Sequence, residues 1–195
     1  MANTAVDICN IALTTHLGAN SISSFDEDTR EGLLARTSYN EIRDEVLRAH
    51  PWNCATRRAS IPANATAPEW GFDFAYQIPN DCLRVLEVNG EQAGVGGGEG
   101  WLWQVEENTI VTDLSSPLEI RYIFRNVTVS RYDAELVNAL ALRLALAWTE
   151  PLVKAANLKQ AMFDLYREAI TSARGSDGQE GSPKRIQSSS WINVR

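Results

Sequence analysis

Two histidines, three cysteines, a glycine cluster and two runs of carboxylates carry the reactive chemistry of this 195-residue chain. His16 and His50 lie far apart in sequence, and Cys9, Cys54 and Cys82 are scattered with no CxxC pair, so no zinc-ligand spacing can be drawn. Gly94-Val95-Gly96-Gly97-Gly98-Glu99-Gly100 invites comparison with a phosphate-cradling loop. It lacks the Lys-Ser/Thr pair that completes one, and its flanks read as strands with no helix N-terminus to meet an anion. Gly97 and Gly98 are therefore read as a hairpin tip that could touch a partner. Asp26-Glu27-Asp28 and Glu106-Glu107 could in principle do acid–base work, but one run opens a helix and the other sits in a turn, which accounts for both. Asp81 reads as a turn residue beside Cys82. The chain has no nucleophile-elbow motif, and a Ser-His-Asp or Cys-His site would have to be assembled in space. The expectation is a protein that is not an enzyme and needs neither cofactor nor metal.

The elements that would position these residues follow from periodicity. The central one is the stretch Thr29 to Ala55, read as a long helix with Leu33, Leu34, Tyr39, Ile42, Val46 and Ala49 on its apolar face. Arg36, Glu41, Arg43, Asp44, Glu45 and Arg48 take the other face. Asp28 is its expected cap. Pro51 cannot donate a backbone hydrogen bond and biases His50 away from helix, so the break is enforced there. His50 is placed to cap the last carbonyls. Before this helix, Thr4 to Leu17 reads as a first helix capped by Asn3 or Thr4 and stopped at Gly18.

After the break the texture changes. Residues 61–68 form a loop by composition, followed by short strand-like runs at 72–78, 83–88, 101–105, 109–112 and 118–124. In the last run Leu118, Ile120, Tyr122 and Phe124 alternate with Glu119, Arg121 and Ile123. From Tyr132 the helical period returns with Leu136, Ala139, Leu140, Leu144 and Ala147, interrupted or kinked at Pro151. A fourth helix spans 157–174 with Leu158, Ala161, Met162, Leu165 and Ala169 facing inward. The predicted fold class is α+β: an antiparallel bundle of about four helices carrying an inserted antiparallel β-sandwich or small barrel. Residues 1–58 and 129–174 form the helical part, 59–128 the insert, and 175–195 an extended tail rich in Gly and Ser.

Composition narrows the class. The net charge of −7 argues against a dedicated nucleic-acid binder. The run 139–148 is broken by Arg143 and too short to span a bilayer, so no membrane role is expected. The cysteine pattern predicts reduced thiols in a protein made in a cytoplasm. Six tryptophans are present. Trp52 is expected to anchor the β-section to the bundle, with Pro51-Trp52 as an interdomain hinge, and Trp101 and Trp103 share a strand face. Trp191, Ile192 and Val194 make an apolar patch in the tail, downstream of Lys184 and Arg185. A tryptophan there suits an anchor for another subunit or partner.

The order of these signals resembles the tail tubular protein A family and related head-to-tail adaptors (connectors) of tailed bacteriophages. The matching pieces are Asn10-Ile11-Ala12-Leu13 with Leu17-Gly18 and Ile22, then Ala35-Arg36 and Tyr39-Asn40-Glu41-Ile42-Arg43-Asp44-Glu45-Val46-Leu47. This helix runs into His50-Pro51-Trp52-Asn53. Then come Tyr76-Gln77-Ile78-Pro79-Asn80-Asp81-Cys82-Leu83-Arg84-Val85 and Ala139-Leu140-Ala141-Leu142-Arg143-Leu144-Ala145. Cys54 departs from the aromatic residue expected after Pro-Trp-Asn, and residues beyond 175 lie outside the resemblance. The resemblance implies a homo-oligomeric ring, typically of about twelve subunits, whose side-to-side contacts close on themselves beneath the portal. It implies the portal protein, a nozzle or other tail protein and tail fibres as partners, a place in the virion neck, and DNA as non-specific cargo. An acidic protein suits such a channel, since a basic lining would hold phosphates. Two other readings are a small hydrolase or transferase with an unrecognised site, and a binding module for fibres or a host factor.

Overall fold

The computed structural model describes residues 2, 4–92 and 102–179. Four helices and two antiparallel sheets make up an α+β fold. Helix α1 (Ala5–Asn10) is set by a capping box: Asp7 N donates to Thr4 Oγ1 at 3.1 Å, and Thr4 N donates to Asp7 Oδ2 at 2.9 Å. It widens into a π-helical segment, Ile11–His16, and ends at Gly18, whose φ of +63° lies in the left-handed region.

Helix α2 (Arg30–Arg48) is capped by Thr29 instead of the expected Asp28, through Gly32 N to Thr29 Oγ1 at 3.1 Å. Gly32 is required there, because a Cβ would stand 2.5 Å from the Glu27 carbonyl oxygen. Its buried face is Ala35, Tyr39, Ile42, Val46 and Leu47. Leu33, expected on that face, is half exposed, because it lies about 200° around the helix from Ala35.

Helix α3 (Ala134–Leu152) is apolar on most of its circumference and takes the centre, with α1, α2 and α4 (Ala156–Gln179) packed around it. Pro151 lies in its last turn and does not break it. The turn into α4 is closed by Val153 N and Lys154 N, both donating to the Thr149 carbonyl. Helix α4 meets α3 through a narrow stripe of Met162, Ile170 and Ala173, with Leu158, Tyr166 and Ala169 partly buried beside it. Ala161 and Leu165, expected inward, are exposed. The helix also continues past Gly175 to Gln179, where composition marks a tail.

The β-section begins with a strand that the sequence reading did not find, β1 (Thr56–Ile61). It is followed by β2 (Phe74–Gln77), β3 (Cys82–Val88), β4 (Glu91–Gln92), β5 (Trp103–Glu106), β6 (Thr109–Thr112) and β7 (Leu118–Phe124). One sheet has the order β1-β7-β3-β4 and the other β2-β6-β5, all antiparallel. Asn89 and Gly90, both at positive φ, make the β3–β4 turn.

The alternation of β7 explains how the two cores are separated. Leu118, Ile120, Tyr122 and Phe124 face the second sheet, joining Tyr76, Ile78, Trp103 and Ile110. Ile123, on the opposite face, joins the helical core, against which Leu83 and Leu86 of β3 also pack. The first sheet is therefore a partition with a core on each side. The two sheets meet at one margin, where Ala63 bridges to Tyr76 and Asn64 N donates to the Ala75 carbonyl at 2.8 Å. At the other margin, among the described residues, β3 and β5 are not paired, so no barrel is closed.

Candidate functional site

The helix break predicted at Pro51 is where the largest number of separate elements converge. An α-helix ends with carbonyls that have no partner within it. Here side chains from three places take three of them. The Trp52 indole donates to the Val46 carbonyl at 3.0 Å, the Arg84 guanidinium to that of Arg48 at 3.4 Å, and Arg174 to that of Ala49 at 3.4 Å. The two arginines also complement the negative end of the helix dipole. His50, expected to cap these carbonyls, turns instead to α4, with Nε2 3.2 Å from Asp177 Oδ2. Its ring packs edge-on against Trp52 with centroids 4.7 Å apart.

Trp52 is 2 % exposed and belongs to the helical core. Its carbonyl accepts from Ala55 N and Thr56 Oγ1, both at 2.9 Å, which turns the chain into β1. Asn126, almost wholly buried after β7, donates from Nδ2 to the Cys54 carbonyl at 2.8 Å, and its own carbonyl accepts from the Tyr132 hydroxyl. The exit and return of the β-section are thus tied together beside the break.

Along α2 the attachment is ionic. Asp44 pairs with Arg43 at 2.7 Å through Oδ1 and with Arg125 at 2.6 Å through Oδ2, and the Arg48 guanidinium donates to the Leu83 carbonyl of β3. Arg43, assigned from its charge to the outer face, is 6 % exposed and completes its bonding on Asn40. Arg143 of α3 holds Glu45 at 2.8 Å. Asp177 joins α4 to the break with three contacts: Asn53 N to Oδ1 at 2.9 Å, Asn53 Nδ2 to its carbonyl at 2.9 Å, and His50. No sequence signal marked Asp177, Asn53, Arg84 or Arg174, since their partners lie far away in the chain.

Beside this junction, between β3 and β5, lies a cleft of about 870 Å³ lined by Arg48, Ile78, Leu83, Val85, Trp103 and Val105, with Cys82 on the same wall. Cys82 is the thiol that lines it. Burial is the main cause that pushes that thiol up to about 11, away from the thiolate form. Burial also lowers the pKa of His50, ahead of the opposing effect of Asp177, and lowers that of His16. His16 Nε2 is buried without a hydrogen-bond partner among the described residues. Cys9, fully buried, is pushed up to about 12. None of the three cysteines is in a disulfide. Asp81 is more than a turn residue, because it receives Arg57 at 2.8 Å and the Tyr122 hydroxyl at 3.2 Å, locking β1 to β7.

Among the described residues no group of three His, Cys, Asp or Glu side chains gathers as a metal site, and no helix is long and apolar enough to cross a membrane. Of the residues named from sequence as partner-binding, Gly97, Gly98, Lys184, Arg185, Trp191, Ile192 and Val194 lie outside the described residues, as does Trp101. Pro51 and Trp52 are within them, at the junction. No family model matches the chain, and no curated protein is similar to it in sequence. The arrangement positions two bodies against each other and offers surfaces for binding.

Proposed function

We propose that this chain is a structural virion protein: a head-to-tail adaptor whose copies, about twelve, form a ring between portal and tail or nozzle. In that role it extends the channel through which DNA passes as unrecognised cargo and offers a docking surface for tail components. The observation that carries the reading is the incomplete covering of the helical body. Helix α4 packs on α3 by a narrow stripe and leaves Phe163 and Leu165 about half exposed, while Leu33 of α2 is exposed to a similar degree. A closed ring needs two different surfaces on each subunit, and apolar residues on two separate helices supply material for them. The inserted sheets, read as an open sandwich, form an arm held rigidly at Pro51-Trp52. Electron microscopy and native mass measurement of the protein, alone and mixed with a portal protein, test this. Rings of uniform copy number are expected, and a monomer that stays monomeric with the portal would overturn it.

A second reading, a binding module for fibres or a host factor, rests on Trp70. It stands 86 % exposed on the connection between β1 and β2. An aromatic ring left in water on a loop is the kind of residue that anchors an interface.

A further inference from the structure

We propose that the cleft between β3 and β5 receives residues 191–194 of the same chain as an added strand on the free edge of β5. The case begins with β5 itself. Trp103 and Val105 share a strand face, and Trp103 is buried in the core between the sheets. Val105, two residues on and pointing the same way, is 50 % exposed. An inward-facing valine in water shows that the core lacks a neighbour at that margin. The same margin is where the two sheets gape, with Ile78 and Val85 forming the opposite apolar wall.

The backbone agrees with the side chains. Among the described residues β5 pairs with β6 alone, so one row of its N–H and C=O groups is unpaired. Unpaired edges are templates for another strand, and native proteins cover them. On β3, the Leu83 carbonyl is already taken by Arg48, so the occupant adds to β5 and lays its side chains toward β3.

The occupant follows from where α4 ends. Asp177 is fixed to Asn53 and His50, and Arg84, which lines the cleft, lies in the electrostatic surroundings of the same histidine. The chain therefore leaves α4 at the rim of the cleft. Residues 180–191 span up to about 40 Å when extended, ample to reach it. Trp191-Ile192-Asn193-Val194 has strand-forming residues and alternation, placing Ile192 and Val194 on one face to meet Val105 and Val85. Tethering raises the local concentration of this segment to the millimolar range, favouring the chain's own copy over a neighbour's. This inference is independent of the ring reading.

Amide hydrogen exchange on the full-length protein tests it. Residues 103–106 should be protected, and the full-length variant carrying Ile192→Pro and Val194→Pro, which removes two backbone donors, should exchange there about tenfold faster or more with β7 unchanged. In a second full-length variant, Val105→Cys with Ile192→Cys, oxidation should give an intramolecular cross-link on the monomer. Equal exchange in the proline variant overturns the proposal. Cross-links that join two chains, or protection lost on dilution, also overturn it by assigning the strand to a second copy.

Discussion

The carboxylate of Asp177, near the end of α4, accepts a hydrogen bond from the backbone N–H of Asn53 at 2.9 Å, across 124 positions of sequence. That contact, with its companions to Asn53 Nδ2 and His50, explains why Gly175 and Gly178 stay within a helix that their type disfavours by about 1 kcal/mol each. Asp177→Ala should leave the body folded and fray the last turn. Amide exchange at residues 174–179 is expected to rise by an order of magnitude, with global stability reduced by about 1 kcal/mol. Unchanged exchange would show that the helix end holds without the latch.

Trp52 has two roles, filling the core and capping α2. Trp52→Ala should lower unfolding free energy by about 3–5 kcal/mol, measured by urea denaturation. Trp52→Phe keeps an aromatic ring but leaves the Val46 carbonyl without its indole donor, so it should still cost about 1–2 kcal/mol. A phenylalanine variant as stable as the parent would show that packing alone matters.

Asp44 serves two arginines of unequal burial. Arg43 is nearly enclosed, whereas the Arg125 side chain is almost half exposed. Asp44→Ala should therefore cost about 2–3 kcal/mol, because it strands a buried guanidinium on Asn40 alone. Arg125→Ala should cost about 1 kcal/mol or less, since water screens that pair. Equal losses in the two variants, compared by thermal unfolding, would contradict this ordering.

Acid should loosen the fold through its histidines. The pKa values of His16 and His50 are lowered from the ordinary 6.5, so below that value the unfolded chain binds protons that the folded chain resists. Their contribution to stability is full above about pH 6.5 and is lost as pH falls through the lower folded values. Around His50 the lowering by burial, Arg174 and Arg84 outweighs the opposing pull of Asp177. Replacing both histidines by Gln should flatten the pH dependence of the melting temperature between about pH 6.5 and 5. An unchanged slope would place the acid sensitivity elsewhere.

Cys9 should be inert in the native state. It is fully buried and its thiol is pushed up to about 12, so an alkylating reagent at neutral pH meets neither access nor thiolate. Mass spectrometry should find Cys9 modified only at the rate of global unfolding. Rapid native labelling would require a local opening of the first helix.

The sequence determined the break. Pro51 removes a donor and restricts His50, so the helix must stop there whatever surrounds it. It also determined the two-faced character of β7, because alternation of side chains is intrinsic to an extended backbone. The α+β class and the central place of the apolar helix α3 follow from the same periodicities. Tertiary structure decided what periodicity does not encode. Thr56-Arg57-Arg58-Ala59-Ser60-Ile61 has little apolar pattern, and it becomes β1 by pairing with β7, since an edge strand needs backbone partners more than buried side chains. Gly175-Ser176-Asp177-Gly178 reads as a tail until Asn53 and His50 supply distant partners. Arg43 reads as a surface charge until Asp44 and Asn40 satisfy it in the interior. In each case the deciding free energy comes from a hydrogen bond or ion pair between residues whose approach only the folded chain creates.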